Sequence, residues 1–123
     1  MYADHTPLQI AGQLLITLLF LGTALINSTT KVKQHVDRLA AQGIPAPALV
    51  LWIGFAMQYA GSIMIGLDWH TNIGVAILII FTLLASALFH RFWEVEDPLR
   101  RHFHLSFLFS NAAVIGGLLL LIR

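Results

Sequence analysis

Four long stretches of the chain, residues 5–30, 39–67, 69–90 and 102–122, contain no Asp, Glu, Lys or Arg. All formal charge lies in the short gaps between them and at the chain ends. A helix rises about 1.5 Å per residue, so about 20 residues cross a hydrocarbon core about 30 Å thick. Each stretch is long enough. The fold class this implies is all-α, an integral membrane four-helix bundle.

Composition agrees with that reading. The chain has 123 residues, room for one small domain spanning 1–123. With 58% hydrophobic and 11% charged residues it falls outside the range of soluble domains. A net charge of +1 gives no basis for nucleic acid as a partner, whereas membrane lipid is an expected one. There is no cysteine, which excludes thiol–disulfide chemistry, Fe–S clusters and Cys–zinc sites within the chain. The first residues, Met1-Tyr2-Ala3-Asp4-His5, lack the basic start of a secretory signal, so the first apolar stretch is expected to be a retained helix.

Local signals set the expected helix bounds at about 7–27, 47–67, 71–93 and 98–122. Pro7 suits a first helical turn, where the missing N–H costs nothing. Pro45 and Pro47 mark a stiff entry after Gly43. Asp97-Pro98 reads as an N-cap followed by proline at the first helical position. In the first connection Val32, Val36, Leu39 and Ala40 recur at helical spacing among Lys31, Lys33, His35, Asp37 and Arg38. That pattern predicts a short amphipathic interfacial helix between the first two spans, capped by Thr29 or Thr30 and ended by Gly43. His35 reads as a surface histidine on it.

Basic residues set the orientation. The first connection carries Lys31, Lys33 and Arg38 and the third Arg91, Arg100 and Arg101, while the opposite side has only Arg123. The basic connections are expected in the cytoplasm, with both termini and the Asp68-Trp69-His70 turn outside a bacterial-type inner membrane.

Polar side chains in lipid need partners and usually point into the bundle. Gln9, Gln13 and Thr17 share one face of the first span; Gln58 and Ser62 share one on the second. Thr82, Ser86 and His90 descend the third, and His104 and Asn111 lie on one face of the fourth. Gln58 and Asn111 would lie at similar depth, where they either bond each other or line a polar cavity. The densest chemistry is the hairpin from His90 to His104, with its three histidines, three arginines and three acids. It reads as an interfacial hairpin of lipid-phosphate-binding arginines, or as a headgroup site for a quinone with histidine moving the proton. His90 and His104 could meet across two helices, but no spacing fixes a haem, and haem is not expected. No metal-binding signature is present, and no metal is assigned.

Three segments then carry a resemblance. Ala85-Ser86-Ala87-Leu88-Phe89-His90-Arg91-Phe92-Trp93, then Glu96-Asp97-Pro98, then Phe107 to Leu120 with its Asn111 and Gly116-Gly117, closely resemble the DoxX family of small four-helix membrane proteins. Gly43-Ile44-Pro45-Ala46-Pro47 fits the family's entry to its second helix, and the first span fits in position more than in residues. The resemblance implies a small membrane subunit or accessory of a quinone-linked redox complex, with other membrane subunits or a homo-oligomer as partners. It also admits a non-catalytic structural subunit that anchors a larger assembly. Two positions depart from the family pattern: Gln58 stands where many members carry an acid, and Ser110 where many carry lysine. The departures favour a binding or supporting role over intramembrane proton chemistry. The ligand-binding residues this reading selects are His90, Arg91, Trp93, His104, Asn111 and Gln58. In it His90 exchanges a proton, Arg91 holds an oxygen, Trp93 stacks on the ring and Asn111 orients it.

Overall fold

A computed structural model describes residues 2–89 and 96–123. Over these residues the chain forms helices α1 (Pro7–Thr30), α2 (Val32–Ala41), α3 (Pro47–Gly66), α4 (Thr71–Phe89) and α5 (Pro98–Leu119). Four of them, α1, α3, α4 and α5, are long and apolar enough to cross a membrane. The chain is a multi-pass helical membrane bundle.

Local chemistry explains where the helices start and stop. Thr6 caps α1 in a reciprocal box: its hydroxyl accepts from Gln9 N at 3.2 Å, and Gln9 Oε1 accepts from Thr6 N at 2.9 Å. The helix runs past the expected Asn27 because its last hydroxyls bond backward. Thr29 and Thr30 donate to the carbonyls of Leu25 and Ile26, each at 2.6 Å. These threonines were the expected caps of α2. That helix instead starts after Lys31 with no side-chain cap.

Helix α2 ends as Gly43 suggested. The glycine takes φ +78° while its N–H and that of Ile44 bond Ala40 O and Leu39 O at 3.0 and 3.2 Å. This paired pattern closes a helix through a left-handed residue. The α2 stripe of Val32, Val36 and Leu39 packs on Leu51 and Phe55 of α3, and Lys33, Gln34 and Asp37 stay exposed. Ala46, between Pro45 and Pro47, enters α3 with φ +46°, a conformation a non-glycine residue adopts at some cost. The far end of α3 repeats the motif of α2: Asp68 takes φ +51°, and the N–H groups of Asp68 and Trp69 bond Ile65 O and Met64 O.

Helix α4 is described to Phe89, so the expected extension to 93 falls outside the described residues. Asp97 caps α5, its side chain accepting from Leu99 N at 3.0 Å, with Pro98 in the first turn.

Helix α3 packs closely against both α1 and α4. The α3–α4 seam closes on two glycines: a Cβ at Gly61 would lie 2.7 Å from Leu78 Cγ, and one at Gly74 would lie 3.0 Å from the Gly61 carbonyl oxygen. Phe20, Ile65, Val75, Leu78, Leu118 and Leu121 form the core of that half of the bundle. Helix α5 is more peripheral; Leu118 is its one buried residue, and Phe109 and Leu120 are 71% and 83% exposed. The two cores, one at the Asp68 end and one under α2, leave a cavity between them.

Candidate functional site

All five helices contribute to a cavity of about 540 Å³ in the half of the bundle nearer α2. Its walls are mostly aliphatic and aromatic, Phe20, Phe55, Phe81 and Val114 among them. Leu19, Ile53 and Leu84 line it while remaining about half exposed, which places them at its mouth. Among the described residues seven polar side chains reach the lining: Thr23, Asn27, His35, Arg38, Gln58, Thr82 and Asn111. A mostly apolar hollow with a few convergent polar groups is the usual form of a small-molecule site.

Gln58 sits halfway along α3 and is 5% exposed. Its Nε2 donates to Thr23 Oγ1 at 3.1 Å and to the Phe20 carbonyl at 3.4 Å, tying α3 to α1. Asn111 Nδ2 donates to Ser86 Oγ at 2.9 Å, tying α5 to α4. The two amides therefore do not bond each other, as their similar depth had suggested. Each has a hydroxyl nearer on the adjoining helix, and both amides reach the same cavity.

The α2 end of the cavity is cationic. His35 and Arg38, one turn apart, both line it. Arg38 Nη2 lies 3.5 Å from His104 Nε2, bridging α2 to α5. Burial pushes His35 below its ordinary value of 6.5, and the positive charges of Arg38 and Lys31 push it the same way. Burial likewise lowers Arg38, with Arg100 adding repulsion. His35 is thus half-buried at the cavity rather than on the surface.

Of the six residues selected from sequence, the structure places Gln58 and Asn111 in the lining and His104 beside it through Arg38. His90, Arg91 and Trp93 lie outside the described residues. Sequence reasoning passed over His35, Arg38, Thr23 and Asn27 as ligand candidates. For the first two the signal was present: they flank the apolar stripe of α2 and so stand at its edge facing the bundle. Among the described residues no group of three or more His, Cys, Asp or Glu could hold a metal ion.

A second polar cluster occupies the opposite end. Asp68 accepts from Thr71 Oγ1 at 2.7 Å and from Gln13 Nε2 at 2.9 Å, with His5 Nε2 at 3.5 Å. Gln13 also donates to Ile65 O at 2.9 Å, and Tyr2 O–H donates to Gly66 O at 2.8 Å. These bonds satisfy the last carbonyls of α3. The Thr71 hydrogen bond, then Gln13, then His5 and the chain's amino group hold the Asp68 carboxyl below its ordinary 3.8, against the opposing effect of burial. Burial and the Asp68 charge raise the Tyr2 phenol. This end is a structural clasp in which the Asp68 carboxylate, Thr71, Tyr2 and the Gln13 N–H groups are paired, while Gln13 Oε1 and His5 Nδ1 are buried with no hydrogen-bond partner among the described residues.

The family model described as DoxX matches residues 10–91. No curated protein and no solved structure gives a match.

Proposed function

The chain belongs to the DoxX family, and from that premise we propose that it serves as a small subunit or accessory of a quinone-linked redox complex, holding a quinone ring in the five-helix cavity. The observation that carries this reading is the cavity itself. It has about 540 Å³, an apolar wall suited to a ring and isoprenoid tail, and polar groups from all five helices. Gln58 and Asn111 address the ring from the bundle interior. Arg38, His35 and His104 address its outer oxygen from the α2 end. The six basic residues of connections one and three support a cytoplasmic position for this end, in a bacterial-type inner membrane.

Organic extraction of protein purified from native membranes tests the reading. The expected result is quinone recovered at close to one per chain, with recovery lost in the Gln58→Leu/Asn111→Leu double variant. Protein that carries neither quinone nor quinol and shows no saturable uptake of decylubiquinone or decylubiquinol would refute it.

Helix α5 favours a second reading, a structural subunit. Its outward Phe103, Phe107 and Phe109 are each more than half exposed and could fill a groove in a larger assembly. A defined partner copurifying with an empty bundle is the signature of that role.

A further inference from the structure

We infer that the cavity selects the reduced, hydroxyl-bearing form of its ring ligand, a hydroquinone, over the oxidised carbonyl form. The inference rests on the ring-binding reading above and concerns which hydrogen-bonding atoms Gln58, Thr23, Thr82 and Asn111 turn toward the cavity.

Hydrogen-bond accounting decides it. Both N–H groups of Gln58 are directed at α1, toward Phe20 O and Thr23 Oγ1. No hydrogen bond reaches Gln58 Oε1 among the described residues, and this oxygen is not sealed from the cavity. The amide cannot simply turn over. That would set Oε1 against the Phe20 carbonyl oxygen, two acceptors facing each other. The hydroxyls behave alike. Thr23 donates to Leu19 O at 2.7 Å and Thr82 donates to Leu78 O at 2.8 Å, so each shows the cavity only lone pairs. Asn111 donates one N–H to Ser86, which leaves its Oδ1 and its second N–H.

Around Gln58, Thr23 and Thr82 the interior wall of the cavity therefore presents acceptors, and Asn111 adds one acceptor and one N–H. Donors enter the lining at the α2 end, from Arg38, His35 and Asn27. A hydroquinone matches this polarity: an O–H toward Gln58 and Thr82, and its second oxygen toward the α2 end. A quinone would bring a carbonyl oxygen to Gln58 Oε1, burying two acceptors with no proton between them. Buried polar groups left without partners are costly, and sites built to bond a hydroxyl discriminate strongly against analogues that lack it.

The test uses the full chain in detergent micelles and two ligand pairs followed by equilibrium dialysis. Decylubiquinol and decylubiquinone form the redox pair. The second pair, 4-heptylphenol and 4-heptylanisole, differs by the same O–H and cannot be reduced or oxidised during the measurement. The expected result is a preference of about tenfold or more for the hydroxyl member of each pair. A tenfold preference for the quinol raises the two-electron potential of the bound couple by about 30 mV. Gln58→Met should bring the phenol down toward the ether. Equal binding of phenol and ether to the wild-type chain overturns the inference but leaves the ring site standing, whether or not the variant folds. Failure of all four ligands to bind overturns both.

Discussion

Replacing Gly61 by alanine probes the seam that fixes α3 against α4. An added Cβ would stand 2.7 Å from Leu78 Cγ, 2.8 Å from Leu78 Cδ2 and 3.2 Å from the Gly74 carbonyl oxygen. Ordinary contact begins at 3.4 Å, so the closest approach falls short by about 0.7 Å. Leu78 is fully buried and its branch atom cannot swing aside, and the carbonyl belongs to the backbone. The helices must separate. Overpacking of this kind costs about 1–3 kcal/mol. Alanine also gains about 0.8–1.0 kcal/mol of helix propensity over glycine, so the control is Gly12→Ala in α1, where an added Cβ meets nothing within 4 Å. Unfolding followed by circular dichroism, as SDS is titrated into mixed micelles, gives the difference. Gly61→Ala is expected to be less stable than Gly12→Ala by about 1–3 kcal/mol. Leu78→Ala removes both crowded atoms, and in the Gly61→Ala background it should cost clearly less than in wild type, where about 2–5 kcal/mol is expected. Equal midpoints for the two glycine variants, or additive losses in the double variant, would refute the close-packed seam.

Three other outcomes follow from local geometry. Asp68 ionises more readily in the fold than in the unfolded chain, so its stabilisation is complete above about 3.8 and is lost as pH falls through its lower folded value. Asp68→Asn keeps an acceptor for Gln13 and Thr71 and tolerates φ +51°, so the variant should fold but show a flatter acid limb in stability titrations. His35 is held below 6.5, so the unfolded chain takes the proton first, and stability falls as pH drops from about 6.5 through the folded value. His35→Gln should remove that slope in the same titration. Gly43→Ala meets no neighbour within 4 Å, so its expected cost of about 1–2 kcal/mol is that of φ +78° alone; Gly43→Asn should cost less in the same SDS unfolding assay.

The spans are legible because lipid tolerates so few charges: the uncharged runs and the prolines at 7, 47 and 98 mark three of the four helix starts. Helix α2 is legible from Val32, Val36 and Leu39. Its start is not, because Thr29 and Thr30 are as able to bond backward inside a helix as to cap the next one. Gln58 and Asn111 stand out as polar residues in apolar segments, yet nothing in their spacing names Thr23 and Ser86 as partners. That choice depends on which faces meet. The clasp at Asp68 is the least legible part. It depends on Tyr2 and His5 folding back onto the end of α3, and the path of a short polar segment leaves no periodic trace.

The clasp also bears on how the bundle is made. Gln13 is fully buried near the start of the chain, and the atoms its amide N–H groups bond, Ile65 O and Asp68 Oδ1, lie 52 and 55 residues downstream. A ribosome adding about 5–20 residues per second delivers them about 3–11 s later. Through that interval α1 must wait in the translocon or the bilayer with a bare amide, and it is the arrival of the α3–α4 turn that lets the first helix settle.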